Sequence, residues 1–189
     1  MNLKDIVNPA IELNENDWKI IQSLYIERSF KKGEYLVSKG NVENYLNLVI
    51  EGSCRVFIIK NGIEYNWALA FENDWISSYE SFITNTPSVE YIKAMTDMKV
   101  YSFNRDSLIN FASIDSKFAE LERHVINQII HDKTERLISF VSDTPIERYL
   151  KLIKKHPDII QKASSKVIAT FIGVTAESLS RIRKRLLTK

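Results

Sequence analysis

Near residue 105 this sequence changes its period, and that switch narrows the available architectures more than any other feature. Before it, short runs rich in β-branched and aromatic residues follow one another: YLVSKG, YLNLVIEG, SCRVFIIKNG, IEYNWALAF, YIKAMTDM and KVYSF. Four of the five glycines, Gly33, Gly40, Gly52 and Gly62, stand at the apparent ends of those runs. Asn61-Gly62 tolerates the positive φ of a type I′ hairpin turn. Several short strands at this spacing predict a closed or sandwiched β domain. Beyond Asp106 the apolar residues recur at helical spacing, and residues 116–142 contain neither Gly nor Pro.

Ahead of the strands, residues 14–28 read as a short helix. Asn14 or Asn16 can cap it, and Trp18, Ile21, Leu24 and Tyr25 share one face. In the long helix, Leu121, Val125, Ile129 and, after a polar gap at Asp132 and Lys133, Leu137 lie near one stripe. Ile126, Ile130 and Ile138 widen it. Such a stripe can pack on its own domain or pair with a second copy. A helix this long has more apolar face than a small β unit covers, which favours a homodimer seam.

Asp143-Thr144-Pro145 restarts the chain, with Thr144 as N-cap and Pro145 in the first helical position. The helix PIERYLKLIKK then buries Ile146, Tyr149, Leu150 and Ile153 and stops near His156-Pro157. Next comes SSKVIATFIGVTAESLSRIRKRLL. Ser164 or Ser165 can cap a short helix bearing Val167, Ile168 and Phe171, and Gly173 permits a tight turn. Thr175 can cap a second helix whose Leu179, Ile182 and Leu186 point back into a small core. Two helices joined this way form a helix-turn-helix, whose second helix enters the major groove of double-stranded DNA.

The charge pattern agrees. Net charge is only +2, yet from residue 162 onward seven Lys/Arg face a single acid, Glu177. A terminal segment with its own charge character points to a polyanion. Glu177 and Arg181 are four apart and share a face; Arg can read guanine and a carboxylate can accept from cytosine. Ser164, Ser165, Lys166, Thr175, Ser178 and Ser180 suit phosphate contacts, and Arg183, Lys184 and Arg185 nonspecific attraction. The plainer alternative is an exposed i,i+4 pair with basic residues relieving the helix dipole.

These features together resemble the Crp/Fnr superfamily of bacterial transcription regulators. FKKGEYLVSKGNVENYLNLVIEGSCRVF is similar to the opening strands of its cyclic-nucleotide-binding-like roll, with Gly33, Gly40 and Gly52 at the turns. IGVTAESLSRIRK resembles its recognition segment, in which a Glu and an Arg four residues later read bases; these are Glu177 and Arg181. An Arg that often precedes that Glu is Ala176 here. The resemblance implies an α+β fold. An N-terminal β-roll of jelly-roll (double-stranded β-helix) type with flanking helices, residues 1–115, is followed by a long dimerisation helix, 116–142. A winged helix-turn-helix-like DNA-binding domain with a truncated wing, 143–189, completes it. It also implies a pseudo-palindromic operator and RNA polymerase as a further partner.

In nucleotide-binding members a Gly-Glu pair and a later Arg-Ser pair hold the ribose and cyclic phosphate. The matching positions are Ser77 and Ser78, then Ser88 and Val89, with Glu80 and Glu90 nearby. No arginine is available for the phosphate, so cyclic AMP is not expected and any effector is of another kind. Trp67, Phe71, Tyr79, Phe82 and Tyr91 could line a pocket, with His131 and Asp132 near its mouth, although aromatics in a small roll also serve as core.

A single cysteine, Cys54, excludes a disulfide framework and a four-cysteine metal or iron–sulfur site within one chain. No nucleophile–base pair, metal-ligand spacing or phosphate-cradling loop suggests an enzyme, and no metal or cofactor is expected. The amino-terminal residues lack a signal-type apolar run, and no stretch approaches the roughly 20 apolar residues of a membrane span, so a cytoplasmic protein is expected. The competing reading is a small-molecule sensor whose basic end binds a protein instead of DNA.

Overall fold

A computed structural model describes residue 3, residues 13–112 and residues 116–187. Helix α1 (Glu15–Leu24) begins with a capping box: the Asn14 side chain accepts from the Asp17 amide while Asp17 accepts from the Asn14 amide. The helix is shorter than the periodicity predicts. From Tyr25 the chain is strand β1 (Tyr25–Phe30), because YIERSF pairs along its whole length with β8 (Met98–Asn104). Six residues of ladder outweigh the helical propensity of Ile26 and Glu27.

Six further strands lie between: β2 (Tyr35–Val37), β3 (Tyr45–Glu51), β4 (Cys54–Lys60), β5 (Ile63–Ala70), β6 (Trp75–Ile76) and β7 (Tyr91–Ala94). They form two antiparallel sheets, ordered β1-β8-β3-β6 and β2-β7-β4-β5. Val49, Val56, Ile92, Met98 and Val100 meet between the sheets with Cys54, and this is the roll's inner core. Burial pushes the Cys54 thiol well above its ordinary value, so it serves there as a small apolar group. The β4–β5 hairpin turns at Asn61 and Gly62, whose φ values of 53° and 75° fit the type I′ turn.

A second core sits on the outer face of the first sheet. Trp18, Ile21 and Leu24 of α1 pack with Leu46, Leu48 and Phe103, and with Phe82 of helix α2 (Tyr79–Thr84). Helix α3 (Arg105–Ala112) leads towards the long α4 (Ser116–Ser142), whose Phe118 and Val125 are buried in this same core, with Leu121 and Ile129 partly buried against it. Three of the four residues expected at a dimer seam therefore cover the protomer's own roll. Leu137 alone is outward, 66% exposed, on a stripe with Ile130 and Val141, 48% and 84% exposed. The apolar face winds around the helix, and its first half is used at home.

Helix α5 (Pro145–Lys155) has the expected Thr144 N-cap, which Glu147 completes as a capping box, but buries Tyr149 and Leu152 and leaves Leu150 exposed. The short α6 (Ile159–Lys162), then α7 (Ser165–Phe171) and α8 (Ala176–Leu187), complete the chain, and no strand follows β8 among the described residues. The boundary expected at residue 115 lies outside the described residues. Ile159, Ile168, Ile172 and Leu179 are fully buried in a third core, each worth about 1.5–3 kcal/mol of apolar transfer. Phe71 and Met95 of the roll enter that core, so the C-terminal helices share packing with the β domain.

Candidate nucleic-acid interface

The turn between α7 and α8 depends on Gly173. Its φ is +76°, and a Cβ there would stand 2.7 Å from the Phe140 ring, so both conformation and space demand glycine. Thr175 then caps α8, its hydroxyl accepting from the Ser178 amide at 3.3 Å. Leu179 is the buried anchor, with Ile182 and Leu186 partly buried beside it. That anchoring turns Glu177, Ser180, Arg181, Lys184 and Arg185 outward.

Glu177 and Arg181, one turn apart, are thus presented together on the exposed side of the leading turns of α8. The Glu177 carboxyl is held below its ordinary value by hydrogen bonds to its own amide and to Thr175, helped by the Arg181 charge. It is an ionised acceptor. Arg181 donates to the Ser178 hydroxyl at 3.0 Å, which pins the side chain without cancelling its charge. Ser164 caps α7 by accepting from the Val167 amide at 3.3 Å, and Lys166 is exposed just beyond it.

Arg183 is held by contacts within the protein. Its Nε donates to the Tyr149 hydroxyl at 3.2 Å and its Nη1 to the Ser165 hydroxyl at 3.0 Å, so it ties α8 to α5 and to the start of α7. The helical period explains this: Arg183 follows Leu179 by four positions and lies on the inward side, where its long stem reaches a polar seam.

In the roll, the expected ligand positions divide. Ser78 and Ser88 are buried and hydrogen-bond to each other, hydroxyl to hydroxyl, at 2.8 Å; the Glu90 amide also donates to Ser88 at 3.1 Å. Val89 is 64% exposed. Lys133 of α4 projects into this region, its ammonium 5.1 Å from the Trp67 ring centre and 5.2 Å from that of Tyr79. Burial pushes Lys133 down, with Glu90 and Glu80 opposing, and burial pushes the Glu90 carboxyl up. Ser78, Ser88, Glu90 and Lys133 therefore occupy the cassette with their own contacts.

The aromatic pocket does not assemble as expected. Phe82 is core, Phe71 stacks on His156 at 3.8 Å, and Tyr91 stacks on Phe57 at 5.1 Å. Trp67, Ser77, His131 and Asp132 do meet, at a cavity displaced towards α5 and α7. Phe71 lies just past the end of β5 and packs into the C-terminal core, and Tyr91 alternates with the buried Ile92 on β7, so it points to the other face of that strand. Arg136 and Arg148 hold positions here that no sequence signal marks. Arg136 Nε donates to the Trp67 carbonyl at 3.0 Å and its Nη2 to the Phe171 carbonyl, while Arg148 Nε donates to the Ile172 carbonyl at 2.8 Å. Both resemble ordinary polar positions on amphipathic helices, and nothing in their spacing marks them as bridges.

Known proteins supply the frame for this geometry. Residues 27–115 match the family model of the cyclic nucleotide-binding domain. Among solved structures, FixK2 from Bradyrhizobium japonicum superposes with a TM-score of 0.75 at 19% identity, covering 87% of this chain and 85% of its own. CLP, the c-di-GMP responsive global regulator of Xanthomonas campestris, gives 0.71 at 12% identity, covering 93% and 92%. A CRP/FNR family transcriptional regulator from Thermus thermophilus gives 0.69 at 14%, covering 86% of each. No curated protein sequence matches. The chain therefore has the fold of these regulators, its residues 27–115 are similar to the cyclic nucleotide-binding domain, and among the described residues no helix is long and apolar enough to cross a membrane.

Proposed function

We propose that this protein is a homodimeric, sequence-specific DNA-binding transcription regulator of the Crp/Fnr type whose roll does not take cyclic AMP. One observation carries the reading: Glu177 and Arg181 are exposed together near the start of a capped helix whose opposite face is anchored by fully buried Leu179. A carboxylate and a guanidinium so fixed can read base edges in the major groove. Exposed Lys166, Ser180, Lys184 and Arg185 supply phosphate contacts around them. The two copies pair through the outward stripe of Ile130, Leu137 and Val141, part of the apolar surface that α4 leaves exposed. Paired α4 helices set two reading heads about 34–36 Å apart, one turn of DNA.

The mutual bond of Ser78 and Ser88, together with the lack of an arginine in the cassette, supports exclusion of a cyclic phosphate. A mobility-shift titration against pools of pseudo-palindromic DNA tests the function. Affinity that falls steeply with salt supports it. Absence of any shift at low salt favours a sensor acting through a protein partner.

A further inference from the structure

The displaced cavity has about 450 Å³ of internal space, within the range of small-molecule sites. It lies where β5, β6, α4, α5 and the end of α7 converge. Its walls are aromatic and aliphatic, led by Trp67, Trp75, Leu152 and Phe171, and five cationic side chains line it against three carboxylates. The carboxylates are not placed to neutralise its inner wall. Asp132 and Glu135 are exposed, Asp132 facing Lys155 at 3.9 Å, and Asp74 accepts from the Phe71 amide at 2.9 Å.

Two half-buried guanidiniums are left facing each other's charge. Arg136 and Arg148 donate to backbone carbonyls, and neither makes an ion pair among the described residues. Burial first, and then Arg148, push Arg136 down to about 10. Two half-buried cations that make no ion pair among the described residues, beside an apolar space of drug-like size, are the complement of a particular ligand class.

We propose that this interdomain cavity binds a small organic anion, its carboxylate or phosphate engaged by Arg136 and Arg148 and its apolar body against Trp67 and Trp75. This cavity is not lined by Ser78 or Ser88 and adjoins their cassette through Ser77, Trp67 and Lys133. It also explains how binding reaches the DNA-facing helices, a consequence that rests on the function proposed above. Arg136 bridges the Trp67 carbonyl of β5 to the Phe171 carbonyl of α7, and Arg148 holds the Ile172 carbonyl. An anion that draws on these guanidiniums competes with the bonds fastening α7 to the roll, and so biases the stance of α8.

The test uses the full chain without DNA. Two of its three tryptophans line the cavity, so intrinsic fluorescence reports occupancy. The probes are 4-phenylbutyrate, phenyl phosphate and the neutral 4-phenylbutan-1-ol. Saturable quenching by an anionic probe, at least about tenfold tighter than by the alcohol, is expected. Arg136→Gln and Arg148→Gln should each weaken it by about tenfold or more. Because either substitution also removes hydrogen bonds to backbone carbonyls, Lys155→Glu, at an exposed rim position, provides a second variant and should weaken it by a few-fold. Equal binding of acid and alcohol, no binding of either anion, or unchanged affinity in Lys155→Glu together with a folded Arg136→Gln would overturn the proposal. Since no DNA is present, such a failure leaves the regulator reading standing, and loss of DNA binding leaves this one standing.

Discussion

Ser78 and Ser88 share a hydrogen bond of 2.8 Å across the two ends of a helical cassette, and both are buried. By the resemblance to cyclic-nucleotide-binding rolls, these are the positions expected beside a ribose and a phosphate. Here each hydroxyl is satisfied by the other, and Lys133 enters from α4 with Glu90 opposite. A cyclic nucleotide would have to break a buried bond and displace a half-buried cation without gaining an arginine. Calorimetry with cyclic AMP and cyclic GMP is therefore expected to give no saturable heat, and a clear isotherm would contradict the cassette reading.

The outward stripe of α4 makes a separate prediction. Leu137→Asp with Val141→Asp should yield folded monomers, because both side chains are mostly exposed in one protomer and a buried carboxylate is costly only at a seam. Val125→Asp should instead unfold the roll, since Val125 is core. Light scattering and circular dichroism separate these outcomes. Monomers that remain folded in the Val125 variant would reverse the assignment.

Arg183 should behave as a fastener. Arg183→Ala removes hydrogen bonds to Tyr149 and Ser165 and is expected to destabilise the protein by about 1–2 kcal/mol in urea. Lys184→Ala, exposed on the same helix, should leave stability within about 0.5 kcal/mol and lower the salt slope of DNA binding by about one. Interchanged effects would place Arg183 on the phosphates.

Glu43 gives stability a pH dependence. Its carboxyl is buried, one oxygen has no partner, and burial raises it to about 7. The folded state then binds a proton that the unfolded chain, near 4.5, has released. Stability from this group is full below pH 4.5 and is lost as pH rises through about 7. Glu43→Gln, which keeps an acceptor for the Tyr45 amide, should flatten that slope and add about 1–3 kcal/mol at pH 8. An unchanged slope would show that other groups set it.

Most of the architecture is legible in sequence because its signals are local. Asn61-Gly62, the Thr144 cap, Gly173 and Leu179 each act within a turn or a helix face, and each does so in the structure. The departures are decided by partners distant in the chain. Tyr25 joins a strand because Phe103 pairs with it, and Val125 turns inward because Phe82 and Trp18 are there to receive it. Arg136 and Arg148 bind carbonyls whose positions only the assembled domains define. Charge alone assigns Arg183 to DNA, whereas helical phase puts it on the inner side.

The most direct test of the proposed DNA-reading role of α8 is in-vitro selection from a randomised pseudo-palindromic library, run side by side with the wild-type chain and a folded Arg181→Ala variant. The wild type should enrich an inverted repeat with half-sites about one helical turn apart, and the variant should lose preference at one base pair per half-site, worth about 1–3 kcal/mol. Identical enriched sequences from both proteins, or no enrichment from the wild type at low salt, would contradict the account.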